Sequence, residues 1–122
     1  MPQTNAADRR QVDWARRTDR ERQAETARAY KETLAHPAGR RVLWDILARA
    51  GIYRSVMDGD PPRVYWNAGR QDFGHELLAQ LLELDESAYL LMESEARAQH
   101  AREARAAAAV HTAPAAEDDT VN

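Results

Sequence analysis

Residues 36–55 read HPAGRRVLWDILARAGIYRS, and the placement of proline and glycine in this stretch decides how the chain is organised. Proline lacks the amide that the first turn of a helix would leave unpaired, so Pro37 suits the first helical position. Val42, Leu43, Ile46, Leu47 and Ala50 then recur with the 3.6-residue period of a helix. Gly51 follows where a left-handed residue closes a helix without a Cβ penalty. The stretch predicts a core helix from Pro37 to Ala50. A turn or short helix in IYRSVM is expected to pack Ile52, Tyr53, Val56 and Met57 behind it.

A helix followed by a glycine turn also raises the question of a helix-turn-helix that reads duplex DNA. A recognition helix starting near Ser55 would need about three turns to lie in the major groove. Gly59, Pro61 and Pro62 stop it after one, and Leu47 stands where that motif carries a small residue. Sequence-specific DNA reading is not expected.

Upstream, Asn5 with Asp8 resembles a capping box, and nothing breaks a helix from there to Ala35. Opposite charges recur at helical spacing in Arg9–Asp13, Asp13–Arg17, Arg17–Glu21 and Arg28–Glu32. Each such pair is worth about 0.2–0.5 kcal/mol. Apolar residues are sparse, and RRTDRERQ (16–23) has none, so this helix has no continuous buried face. It reads as a salt-bridged arm anchored at Tyr30 and Leu34 and again at Trp14.

Downstream, DGDPP (58–62) is a loop in which Asp60 caps a helix and Pro61 begins it. That helix is expected to run to Leu84 with Trp66, Gly69, Phe73, Leu77, Leu81 and Leu84 as its apolar stripe and Leu78 and Leu82 on the flank. Gly69 and Gly74 each cost about 1 kcal/mol inside a helix, which predicts close approach of a neighbouring backbone on the Phe73 face. Asp85 should cap a fourth helix that turns Tyr89, Met92 and Ala96 to one side. RAQHAREARAAAAV (97–110) is helical by propensity but has nothing large to bury.

The fold class expected is all-α, a small bundle of three main helices with a long N-terminal helical arm and an extended C-terminal helix. The divisions expected are a charged arm over 1–35, a compact helical domain over 36–96, an Ala-rich frayed helix over 97–110 and a flexible acidic tail over 111–122. A core of about sixty residues is near the lower limit of independent stability, so it would gain from the arm or from a partner subunit.

Charged residues make up 30% of the 122, mean hydropathy is −0.74 and cysteine is absent. No apolar run approaches the roughly 20 residues of a membrane span. MPQTNAADRR has no apolar core behind its basic residues, so no secretory leader is expected. A reducing cytoplasm or its viral equivalent is the simplest setting. Net charge is −3, with eight basic against six acidic residues over 1–36 and six against ten over 37–95. A balance so mixed does not favour attraction of the whole domain to nucleic acid.

Asp72 and His75 form one carboxylate–histidine pair at i, i+3, but helical metal centres need two such pairs with further inward carboxylates. His36, His100 and His111 lie at helix ends or in the tail. There is no thiol, and Ser55, Ser87 and Ser94 sit in no glycine-rich elbow near a base. DGDPP is acidic and has no lysine to hold a phosphate. No metal, cofactor or enzymatic activity is expected.

Three residues stand out as interface candidates. Trp14 lies in the polar arm, Trp44 lies off the stripe of its own helix, and Arg70 falls among Trp66, Phe73 and Leu77 on a helical wheel. A guanidinium on an apolar face must be paired or reach water along its stem. Asp45 or a carbonyl near Gly51 is the expected partner, and the sharper alternative is a partner protein. A second reading is nucleic-acid binding through Arg9, Arg10, Arg16, Arg17 and Arg20 of the arm.

Three motifs in order carry a resemblance. They are G-R-x-V-L-x-D-x-L over Gly39–Leu47, the turn Gly51-Ile52-Tyr53, and G-R-x-x-x-G-x-x-L-L carried by Gly69, Arg70, Gly74, Leu77 and Leu78, with Tyr89 and Met92 beyond. Over residues 36–96 the chain resembles a family of small phage and prophage proteins encoded near the packaging and head genes of certain tailed phages, among them a short-tailed Bordetella phage. Gln71 departs from it, since relatives often place a second arginine there, and this weakens a basic binding site at that point. The resemblance implies a helical, non-enzymatic protein that is virion-associated or assembly-associated, in the virion or host cytoplasm. The resemblance does not say what the domain binds. Taken with the small core, the off-stripe tryptophans and the extended arms, the expected partners are phage structural or assembly proteins of the head or portal, or copies of itself as a homo-oligomer, with DNA packaging or ejection as the setting for the nucleic-acid alternative. No membrane partner is implied.

Overall fold

A computed structural model describes residues 5–112, and the last ten residues of the expected acidic tail lie outside that range. Three helices make up the described chain: α1 (Ala6–Ala35), α2 (Pro37–Ala50) and α3 (Pro61–Thr112), with no strand among the described residues. The all-α fold expected from the periodicities is the fold observed.

Local signals set the boundaries. Asn5 caps α1, its Oδ1 accepting from the amide of Ala7 at 3.3 Å. Pro37 opens α2, and Gly51 closes it in the left-handed region at φ 73°, ψ 31°. The turn that follows has no helix from 55 to 60, so the next helix after Gly51 begins at Pro61. Asp85 interrupts α3 with an extended backbone (φ −163°, ψ 92°). Its carboxylate accepts from the amide of Ala88 at 3.0 Å, so the fourth helix expected to be capped at Asp85 is the second half of α3. The helix then continues through Thr112, exposed throughout from His100 onward.

The core is one cluster drawn from all three helices. Leu34 of α1, Leu43 and Leu47 of α2, and Leu77, Leu81, Tyr89 and Met92 of α3 are buried in it. Tyr30, Trp44 and Ile46 pack on its edge. Burying a leucine fully stabilises by about 1.5–3 kcal/mol, and Leu34, Leu47 and Leu81 are all completely enclosed.

Two glycines let the helices approach. A Cβ on Gly39 would collide with the carbonyl of Thr33, so α1 and α2 meet backbone to backbone there. A Cβ on Gly74 would lie 2.6 Å from the Cβ of Ala50 and 2.5 Å from Cγ2 of Ile52. The close approach expected at the two α3 glycines is thus real at Gly74, but a Cβ on Gly69 would meet nothing within 4 Å.

Two expectations need correction. The arm is a helix, yet none of its four anticipated ion pairs closes; the ion pairs among the described residues are Arg40–Glu95, Arg49–Asp45, Arg63–Asp60 and Arg97–Glu93. Solvated charges gain too little from pairing to offset the ordering of two long side chains. The α3 stripe is also rotated from the one expected. Gly74, Leu77 and Leu81 face the core, whereas Trp66 and Phe73 are 69% and 57% exposed. Leu77 and Leu81 have α2 beneath them, but α2 ends at Ala50 and leaves the first turns of α3 uncovered on that side.

Candidate functional site: an aromatic groove between α2 and α3

The buried arginine is Arg40, not Arg70. Its side chain is 9% exposed, and Nε and Nη2 donate to the Glu95 carboxylate at 2.7–3.2 Å. Nη1 donates to the carbonyl of Leu34 at 2.9 Å, satisfying one of the acceptors left free at the end of α1. One side chain therefore joins the three helices. Fork geometry of this kind is specific to a guanidinium. The glycine and arginine of the Gly39–Leu47 motif thus serve packing: Gly39 for helix approach, Arg40 for the clasp.

Gln71, the departure from the expected arginine, also has a structural task. Its Nε2 donates to the carbonyls of Gly51 at 3.1 Å and Arg54 at 2.9 Å and ties the turn to α3. Asn67 donates to the carbonyl of Val56 at 3.3 Å one turn earlier. Arg70 is exposed, with Nη2 on Oδ1 of Asn67 at 2.8 Å and Nη1 on the carbonyl of Arg49 at 3.4 Å. A carbonyl near Gly51 was one of its two expected partners; Asp45, the other, pairs with Arg49.

The two tryptophans singled out have different settings. Trp14 is 70% exposed on a part of α1 where every described residue from 5 to 17 is exposed. Trp44 is half-buried, stacked at 5.8 Å and 31° on Tyr53 and lined up beside Met92 and Ala96 of α3. It packs on the second half of α3 and not under the arm. Tyr53 in turn shares a 2.5 Å hydroxyl–hydroxyl hydrogen bond with Tyr89. Burial, then this bond, pushes the Tyr89 hydroxyl far above the ordinary tyrosine value. Arg9, Arg10, Arg16, Arg17 and Arg20 are all exposed along α1, interleaved with the exposed Asp8, Asp13 and Asp19.

The surface feature that the wheel missed is a groove of about 570 Å³. Ile46 and Ala50 of α2 form one side, and Tyr65, Trp66, Gly69 and Phe73 of α3 form the other. The charged residues lining it are Arg49 and Arg70. A second, more polar cleft of about 560 Å³ shares Arg49, Ala50 and Arg70 and adds Arg54 and Asp58, so the two run together. Trp66 and Phe73 belong to the stripe expected to be core, and Tyr65 lies outside it; nothing in a single helix's periodicity says which end of its stripe a shorter neighbour covers. Among the described residues no group of three or more His, Cys, Asp or Glu gathers to hold a metal ion, and no helix is long and apolar enough to cross a membrane.

A family model described as Bbp19-like phage protein matches residues 30–94, just over half of the chain. The chain belongs to the Bbp19-like phage protein family. The matched segment of this Bbp19-like chain begins at Tyr30 and contains every buried core residue, from Leu34 to Met92. It starts before residue 36 because the last turn of α1 is part of the core. Neither the curated proteins nor the solved structures contain a match to the chain.

Proposed function

We propose that this chain is a non-enzymatic phage interaction protein, virion-associated or assembly-associated, that acts by helix packing against head or portal components. The observation that carries the reading is the groove between α2 and α3, where three large aromatic side chains stand in water on α3. Tyr65, Trp66 and Phe73 are 79%, 69% and 57% exposed. Aromatic residues gathered on one exposed, concave surface mark protein-binding sites, because they offer large contact area at small entropic cost. Membership of a phage protein family supplies the setting.

The test is a phage or prophage carrying Trp66→Ser and Phe73→Ser. Both side chains are mainly exposed, so the purified variants should melt close to the parent. Infected-cell fractions should then lose the chain from head or portal intermediates, measured by quantitative mass spectrometry of gradient-purified particles and precursors. Unchanged association and unchanged particle yield would overturn the reading.

A further inference from the structure

Trp66, Gly69, Arg70 and Phe73 stand at i, i+3, i+4 and i+7 of α3. Four residues at that spacing surround the hole that receives one large side chain when a second helix packs alongside. Here the hole is empty in a specific way. Gly69 has no Cβ, nothing lies within 4 Å of where one would be, and the flanking side chains are exposed aromatics. Among the described residues nothing fills it, since α2 ends at Ala50 and contributes only Ile46, Arg49 and Ala50 to the groove.

The charged residues that line the groove itself are both arginines, while Asp58 lies in the adjoining cleft and exposed Asp72 and Glu76 stand beside Phe73. Arg49 and Arg70 line the groove and Arg54 lines the cleft continuous with it. Among the described residues, Arg54 and Arg70 make no ion pair, and Arg49 has only Asp45 at 3.7 Å, both side chains exposed. This basic spot lies in a segment that is acidic as a whole, six basic against ten acidic residues over 37–95. Resting on the interaction reading above, we propose that the groove docks an acidic amphipathic helix of a partner protein. A large apolar side chain of that helix seats over Gly69, and carboxylates one turn to either side meet Arg49, Arg54 and Arg70. A strand of nucleic acid is the poorer occupant. It carries a phosphate at every step and would bring charge against exposed Asp72, Glu76 and Asp58. An amphipathic helix instead keeps its carboxylates on the side of Arg49, Arg54 and Arg70 and its apolar face over Gly69.

The closing experiment uses the full chain, labelled with ¹⁵N, and three probes. These are a synthetic amphipathic helix with leucine on one face and glutamate elsewhere, the same helix with lysine for glutamate, and single-stranded oligothymidylate. The glutamate helix should shift the Trp66 indole and the Gly69 and Phe73 amides. The lysine helix should bind at least tenfold more weakly. Gly69→Leu, at a position with open space, should abolish binding, and Arg49→Gln with Arg70→Gln should weaken it about tenfold, equivalent to about 1.4 kcal/mol. Equal binding of the two peptides, preferential shifts of these signals by oligothymidylate, shifts confined to another surface, or protection of Trp66 by self-association without peptide would each overturn the proposal. In infected cells the two readings separate. If Trp66→Ser loses particle association while the arginine pair of variants keeps it, the interaction reading stands and the acidic partner falls. If no groove variant changes association, the interaction reading itself falls.

Discussion

Arg40 of α2 holds Glu95 of α3 with two of its nitrogens and the last turn of α1 with the third, at Leu34. The pair lies inside the bundle on the arginine side and is partly open on the other, where the Glu95 side chain is 37% exposed. Glu95→Gln should therefore be costly, because it leaves a buried guanidinium without its countercharge. Breaking a fully buried pair costs about 3–5 kcal/mol, and the partial exposure here places the loss near the lower end. Arg40→Met should cost less, since the abandoned carboxylate can reach water. Urea midpoints of the two variants and of the Arg40→Met, Glu95→Leu double variant check this. A double variant no more stable than Glu95→Gln would count against the clasp as drawn.

The two α3 glycines should respond in opposite directions to alanine. Gly74→Ala drives a methyl into Ala50 and Ile52 and should destabilise by about 1–3 kcal/mol as overpacking. Gly69→Ala, with open space around it, should stabilise by about 0.5–1 kcal/mol through helix propensity alone. Thermal melts of the two single variants decide it, and a loss at both positions would mean that Gly69 has a neighbour.

Alkaline pH should test the Tyr53–Tyr89 pair. Burial, first, and then the Tyr53 bond and the nearby Tyr53 and Glu93 charges, against a pull down from Arg97, raise the Tyr89 hydroxyl well above its ordinary value of 10.0. The folded state then keeps a proton that the unfolded chain releases. Its contribution is complete below about pH 10 and declines as pH rises past it, by about 1.4 kcal/mol per unit. Tyr89→Phe should flatten that decline between pH 9 and 11, a range set by about one unit on either side of the free tyrosine value. An unchanged slope would remove the pair from the account.

The outer part of α1 should behave as an isolated helix. Between Ala6 and Thr26 only Thr18 is less than exposed, and no ion pair closes along it. Most of a helix's stability in a protein comes from packing of an apolar face, and this stretch packs none. Amide exchange should be fast over this stretch and slow around Leu34. Deleting residues 1–26 should lower helicity while leaving the melting of the core within a degree or two, about the size expected for a change of a few tenths of a kcal/mol. A large drop in melting temperature would show that the arm folds back on the bundle.

How much of this was legible in the sequence differs from element to element. Pro37, Gly51, Pro61 and Asp85 act through their own backbone or through the next turn, so the start of α2, its left-handed end, the start of α3 and its interruption could all be read from the chain alone. The same is true of the core positions Leu43, Leu47, Leu77, Leu81, Tyr89 and Met92, which follow from periodicity. What the sequence could not supply was the partner on each face. Arg40 and Arg70 follow a glycine in similar motifs, yet one is buried on Glu95, 55 residues away, and the other lies in water. Trp66 and Phe73 lie near the buried Leu77 on the helical wheel, and only the rotation of α3 toward Gly74, Leu77 and Leu81, together with the end of α2 at Ala50, leaves them uncovered. Local propensity and period are properties of a few neighbouring residues, and they determined the helices. Which side chains meet, and which are left open to a partner, depends on where helices distant in sequence begin and end in space, and that the tertiary structure alone decided.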